Sequence, residues 1–332
     1  GFGVPFAITC FGGSIPFKSF KGEWKTCVIA IAAVVFIVGL GAIAGFTVLD
    51  KVTALYGSVE VAGGTQAGLI FLAQLKETGE QKIAAIIAIL MTGQVLVGYP
   101  ACGYALKKAM VKRLGDESFN NFSAAGTGEL LLADNSKKLI KVPEFLANNF
   151  YYVFAVLALC CIGGYYIGEI TGISMFVWDL LIGFIAAQLG LIDGDSLNKV
   201  GSGGFIDATM FAIILMDLVT INLKDFAGIL PTLVALLAFG VIGCAVAGVV
   251  LSKPMKMPFV DIFAIGLACL NGYPLTVKIV DECAEIVGQE NSLSEETRDR
   301  LLNFYKPKVV ISGIVSVSVV TGVLAGVLVS FI

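Results

Sequence analysis

Seven stretches of this chain run for about twenty residues each with little charge. They are about Thr26–Leu49, Ile83–Leu106, Phe150–Thr171, Ile173–Ile192, Gly204–Leu223, Ala227–Leu251 and Val309–Ile332. Each is long enough to cross the roughly 30 Å hydrocarbon core of a bilayer as a helix. Composition points the same way: 57% of residues are apolar and 14% charged, against roughly 25% charged in an average soluble domain. So few charges cannot cover a water-facing surface, which excludes a soluble globular enzyme.

Further classes fall on what is absent. A net charge of −3 gives no basic footprint for nucleic acid. The chain has no histidine, which removes His-based triads, His metal ligands and His proton relays. The cysteines, Cys10, Cys27, Cys102, Cys160, Cys161, Cys244, Cys269 and Cys283, lie in or beside apolar stretches without CxxC spacing and read as small core residues. No GxxxxGK[ST] loop is present for ATP-driven pumping, and no filter motif or repeated charged ring for a channel. No enzyme activity and no cofactor are expected.

Two segments are apolar but broken. Thr53–Leu75 carries Val61-Ala62-Gly63-Gly64-Thr65-Gln66-Ala67-Gly68, and Phe259–Val287 carries Ala268-Cys269-Leu270-Asn271-Gly272-Tyr273-Pro274-Leu275-Thr276. A helix broken at membrane depth leaves backbone groups without partners, which is tolerated only where protein or a watery cavity covers them. Both segments read as re-entrant hairpins. On that reading Lys18–Lys25, Lys107–Lys141, Lys199, Lys253–Lys256 and Arg298–Lys308 share one side of the membrane. The other side keeps Lys51, Lys76, Lys82 and Lys224. That asymmetry obeys the positive-inside rule; a full crossing at Thr53–Leu75 would break it.

A weak repeat underlies the symmetry. Phe6-Ala7-Ile8 answers Phe211-Ala212-Ile213, and Lys18-Ser19-Phe20 answers Lys224-Asp225-Phe226. Gly41–Gly45 answers Gly243–Gly248. An odd number of crossings separates the halves, so they are inverted, a recurring plan of secondary transporters with a site near the midplane. The expected fold is an all-α polytopic membrane protein of two inverted-topology repeats, each with a re-entrant hairpin and a discontinuous helix. The first repeat spans 1–106, a cytoplasmic linker 107–149 and the second repeat 150–332. Gly1–Gly13 is too short to cross the bilayer, and the symmetry predicts about two helices upstream of it, roughly 45–60 residues.

The order of these features resembles the sodium/glutamate symporters of the glutamate:sodium symporter family over nearly the whole chain. Leu55-Tyr56-Gly57-Ser58-Val59-Glu60-Val61-Ala62-Gly63-Gly64-Thr65 is similar to the family's first hairpin. Phe259-Val260-Asp261, Gly266-Leu267-Ala268-Cys269 and Pro274-Leu275-Thr276 are similar to its second. The family's histidines are absent, and the second tip here is Asn271-Gly272-Tyr273-Pro274. Citrate-type carriers share a similar plan. The resemblance implies a homodimer in a bacterial-type inner membrane, with a scaffold and a moving domain that carries both hairpins. It implies Na⁺ as coupling ion and a small organic anion, an amino acid or carboxylate such as glutamate, as substrate. A proton-coupled carrier or exporter of the same fold is the alternative.

The residues expected at the tips are Gly63, Gly64, Thr65, Gln66, Asn271, Gly272, Tyr273 and Thr276. Glycines admit close backbone approach. Thr65, Gln66, Asn271 and Thr276 supply oxygens and donors, and Tyr273 a wall. Broken helices also expose amide N–H groups that attract carboxylates. Asp217 and Asp207, acids within predicted spans, are ion-coupling candidates. Asp179, beside Trp178, is placed at the membrane interface. Lys278 is either a counter-charge for substrate or a partner of Asp281 or Glu282. Pro100 should kink its helix.

Overall fold

A computed structural model describes residues 3–13, 22–47, 49–64, 68, 71–72, 75, 81–116, 119, 138–171, 175–206, 208–209, 212, 223–272, 275–317 and 324. All regular structure among them is helical. The helices are α1 (Gly3–Gly13), α2 (Trp24–Thr47), α3 (Lys51–Gly63), α4 (Gln81–Leu114), α5 (Glu144–Ala147) and α6 (Phe150–Thr171), then α7 (Met175–Leu189), α8 (Ser196–Lys199), α9 (Leu223–Met255), α10 (Phe259–Asn271), α11 (Leu275–Glu290) and α12 (Glu295–Ile314).

Four helices are long and apolar enough to cross a membrane, over Trp24–Gly45, Ile83–Leu114, Phe150–Thr171 and Gly228–Met255. The chain is therefore an integral membrane protein. These correspond to four of the seven apolar stretches. The stretch Ile173–Ile192 forms α7, a helix of only 15 residues. Most of Gly204–Leu223 and of Val309–Ile332 lies outside the described residues. α6 shows why water is the wrong solvent: Tyr151, Leu159, Ile162, Tyr166 and Ile170 all stand exposed along it.

Local chemistry sets several boundaries. Asp50 caps α3 by accepting from the Thr53 N–H at 3.0 Å. Ser294 caps α12 by accepting from the Thr297 N–H at 3.3 Å, and Glu295 and Glu296 follow in the first turn, where the helix dipole favours anions. α12 thus starts well before the apolar run at Val309. α4 carries Pro100 inside it and continues to Leu114, into the stretch read as linker.

The packing forms two groups. α2, α3, α4 and α9 to α12 pack together around one buried cluster that includes Ile37, Val61, Leu106, Leu236, Leu267 and Tyr305. α1, α6 and α7 form the other, around Phe6, Leu157 and Ala186. The groups meet through an apolar seam in which Ile8, Phe176 and Leu180 face Tyr56, Val59 and Met91. Small residues bring the first group close. A Cβ on Gly41 would lie 2.2 Å from the Ser58 side chain on α3, and one on Gly248 would lie 2.9 Å from the Phe259 ring on α10. In this way α2 seats α3 much as α9 seats α10.

All eight cysteines are free thiols, six of them buried, as expected of core residues. Two further candidates are placed by the fold. Asp179 is fully buried. It faces Gly164 on α6, where a Cβ would lie 2.0 Å from its Oδ1, while neighbouring Trp178 turns outward and donates to Thr171 Oγ1 at 3.0 Å. Lys278 is exposed, and its expected partners are engaged elsewhere: Lys306 bonds Asp281 at 2.8 Å, and Tyr99 donates to Glu282 at 2.5 Å.

Candidate functional site

The two broken segments end alike. α3 and α10 each have 13 residues. Each stops at a glycine: Gly64 at φ 66°, ψ −172° and Gly272 at φ 65°, ψ 174°. That corner of backbone space is essentially closed to any residue with a Cβ. The glycines also meet. A Cβ on Gly64 would stand 3.6 Å from the Gly272 Cα and N and 3.7 Å from the Asn271 carbonyl carbon. Sequence reasoning placed both breaks correctly, and the fold brings them into contact.

The C-terminal ends of two helices therefore converge. The last turn of each has carbonyls without an intrahelical partner and carries about half a negative charge. Around α10's end two side-chain oxygens lack partners. Asn271 donates through Nδ2 to the Leu267 carbonyl at 3.2 Å, while its Oδ1 is unpaired; Thr276 Oγ1 is unpaired as well. Asn271 is 5% exposed and Thr276 0%. Buried polar atoms of this kind are normally satisfied, so orphaned acceptors call for an explanation.

Neighbouring helices leave room for them. Gly98 on α4 lies against Asn271, where a Cβ would be 3.0 Å from Oδ1. Gly313 on α12 lies against Thr276 and Gly272, where a Cβ would be 3.0 Å from Thr276 Oγ1. Ser312 anchors α12 to α10 by donating to the Ile265 carbonyl at 2.6 Å. Just beyond, residues 315–317 form a π-helical turn, a device frequent at functional sites. Across the break, α11 opens at Leu275 with its first N–H groups toward Gly272; the Thr276 N–H bonds the Gly272 carbonyl at 3.2 Å.

Of the expected site residues, Gly63, Gly64, Asn271, Gly272 and Thr276 are brought together. Thr65, Gln66, Tyr273, Asp207 and Asp217 lie outside the described residues.

Two polar features escaped the sequence reading, and the burial of a third, Asp179, was not foreseen. Glu60, one turn before the end of α3, is fully buried. Its Oε1 accepts from Gln94 Nε2 of α4 at 3.1 Å, and its Oε2 and Gln94 Oε1 have no partner. Its signal was the single acid between Val52 and Leu75. Asp179 likewise keeps both carboxylate oxygens unpaired. At the opposite end of α10, Arg113 of α4 bonds Asp261, and Tyr305 of α12 donates to Asp261 Oδ1 at 3.0 Å. A cavity of about 410 Å³ opens beside that trio, between Lys112, Arg113, Asp116 and Asp261. Its two cations and two carboxylates balance, so it has no net pull on an anion, and it lies away from the tips.

No protein-family model matches the chain, and no curated protein matches it.

Proposed function

We propose that this protein is a secondary active transporter. It carries a small organic anion, an amino acid or carboxylate such as glutamate, together with Na⁺. The observation that carries the reading is the abutment of two matched half-helices, Gly64 against Gly272, inside a membrane protein. The segments around both breaks are read as re-entrant hairpins of inverted repeats, with α2 and α3 answering α9 and α10.

The site chemistry fits the two cargoes. Carbonyls at the end of α10, with Asn271 Oδ1 and Thr276 Oγ1, make an oxygen-lined, electronegative place for a hard cation. The opening turn of α11 offers N–H groups to a carboxylate. Both ends of a broken helix are used this way in carriers of this plan. Movement fits the packing: the group holding both tips would shift against α1, α6 and α7 as an elevator. The seam between them is apolar, so sliding breaks few directional bonds. A homodimer in a bacterial-type plasma membrane, joined through the α1–α6–α7 group, completes the reading.

Asn271→Ala tests the tips. It should leave the protein folded and weaken Na⁺ by one polar contact, about 1–3 kcal/mol or about 5- to 150-fold. Thr276→Val should act in the same direction. Proteoliposome uptake titrated with Na⁺ reads both. Unchanged Na⁺ dependence in both variants would remove the second tip from the ion site.

A further inference from the structure

We infer that Glu60 and Gln94 form a proton-binding site, separate from the sodium site proposed at Asn271 and Thr276. The pair has fewer donors than acceptors. Gln94 Nε2 already donates to Glu60 Oε1. What remains is Glu60 Oε2 and Gln94 Oε1, two buried acceptors without a donor. A carboxylic acid and a primary amide pair through two hydrogen bonds, and the missing bond is an acid O–H to the amide oxygen. One proton on Glu60 Oε2 supplies it. An ionised Glu60 would instead leave a charge in an apolar core with half its bonding capacity unused, which is costly.

Among the described residues no charged group is bonded to Glu60. Gln94 bonds it, and Gly68 lies against it, where a Cβ would lie 2.7 Å from Oε2. Ionisable groups on the packed helices have other engagements. Lys25 at the start of α2 reaches the Met255 carbonyl, and on α4 Tyr99 bonds Glu282 and Arg113 bonds Asp261. Lys107, Lys108 and Lys112 lie farther toward α4's C-terminal end, and Lys253 toward that of α9. Asp261, at the far end of α10, is held by Arg113 and Tyr305, and Asp179 on α7 faces Gly164. The buried thiols nearby are bonded to backbone, Cys102 to Ala264 and Cys269 to Ala30. On α3 itself Tyr56 packs its ring on Phe71, and Lys51 lies at the opposite end.

Glu60 sits one turn from the tip at Gly64, so a change in its protonation acts on the end of α3. Given the transport reading above, on which this step rests, a proton bound at Glu60 crosses with the moving group and couples the carrier to the proton gradient.

Infrared difference spectra of the purified protein against Glu60→Gln test the site without any transport. The expected result is a protonated-acid carbonyl band at neutral pH that Glu60→Gln lacks; Asp179 cancels in the difference. Glutamine mimics the protonated acid, donating to Gln94 Oε1 and accepting from Nε2. Glu60→Gln should therefore melt like the wild type near pH 4 and above it at neutral pH, because only the wild type loses stability as pH rises past about 4.3, where the glutamate of the unfolded chain ionises. Gln94→Leu should melt lower at all pH values. In proteoliposomes, an imposed proton gradient should stimulate wild-type uptake and leave Glu60→Gln uptake unchanged. A missing band, or a Na⁺-induced rise in melting temperature that only Glu60→Gln loses, would overturn the proposal in favour of an ionised, sodium-holding Glu60. An intact band with no uptake of any carboxylate would instead sink the transport reading and leave the proton site standing.

Discussion

Arg113→Ala should destabilise the protein by about 3–5 kcal/mol, because it strands a buried carboxylate. Asp261 keeps only 3% of its side chain exposed and is held by Arg113 and Tyr305. The guanidinium also bonds Asp116 at 3.2 Å and lies 4.7 Å from the Phe304 ring centroid, tying α4 to α10 and α12 at one end of the bundle. Removing Arg113 alone leaves the charge without its counter-ion. Removing both charges, in Arg113→Leu with Asp261→Asn, should recover most of the loss, since neutral replacement of a buried pair is often nearly free. Thermal melting of the detergent-purified variants compares them. A single variant as stable as the wild type would show that water reaches Asp261.

Gly272→Ala should be the more damaging of two matched changes at the tips. Both glycines occupy a conformation that costs a residue with a Cβ about 1–3 kcal/mol. At Gly64 that strain is the main cost, because the added methyl would find only ordinary contacts at 3.6 Å. At Gly272 it would also lie 2.7 Å from Val317 Cγ2 on the π-helical turn. Val317→Ala should therefore rescue Gly272→Ala in part and leave Gly64→Ala unchanged. Gly64→Val, which wedges a branched side chain between the tips, should abolish uptake even where the protein folds. Equal melting temperatures for Gly64→Ala and Gly272→Ala, with no effect of Val317→Ala, would contradict this packing.

Both breaks were legible in the sequence because glycine, proline and amide residues inside an apolar run have few other uses. The limits of the long helices were less so. Hydropathy ends α4 near Leu106, but a helix goes on when Lys107, Lys108, Lys112 and Arg113 can carry their charges out of the apolar zone. It also misses the first turns of α12, whose start is fixed by the Ser294 cap. The burial of Asp179 was hidden because its neighbour Trp178 faces outward, while adjacent helical residues point about 100° apart. Glu60 was overlooked for a different reason. A single acid within a hairpin motif gains meaning only from Gln94, 34 residues on, and that pairing is set by the packing of α3 on α4.

On the proposed reading, the paired tips carry a carboxylate with a cation across the membrane. Counterflow uptake by the wild-type protein in proteoliposomes, over a panel of amino acids and di- and tricarboxylates with and without Na⁺, tests it most directly. At least one carboxylate should exchange against its own internal pool, Na⁺ should raise the rate, and Gly64→Val should abolish the exchange. Counterflow absent for every carboxylate with Na⁺ present, in vesicles holding folded protein, would contradict it.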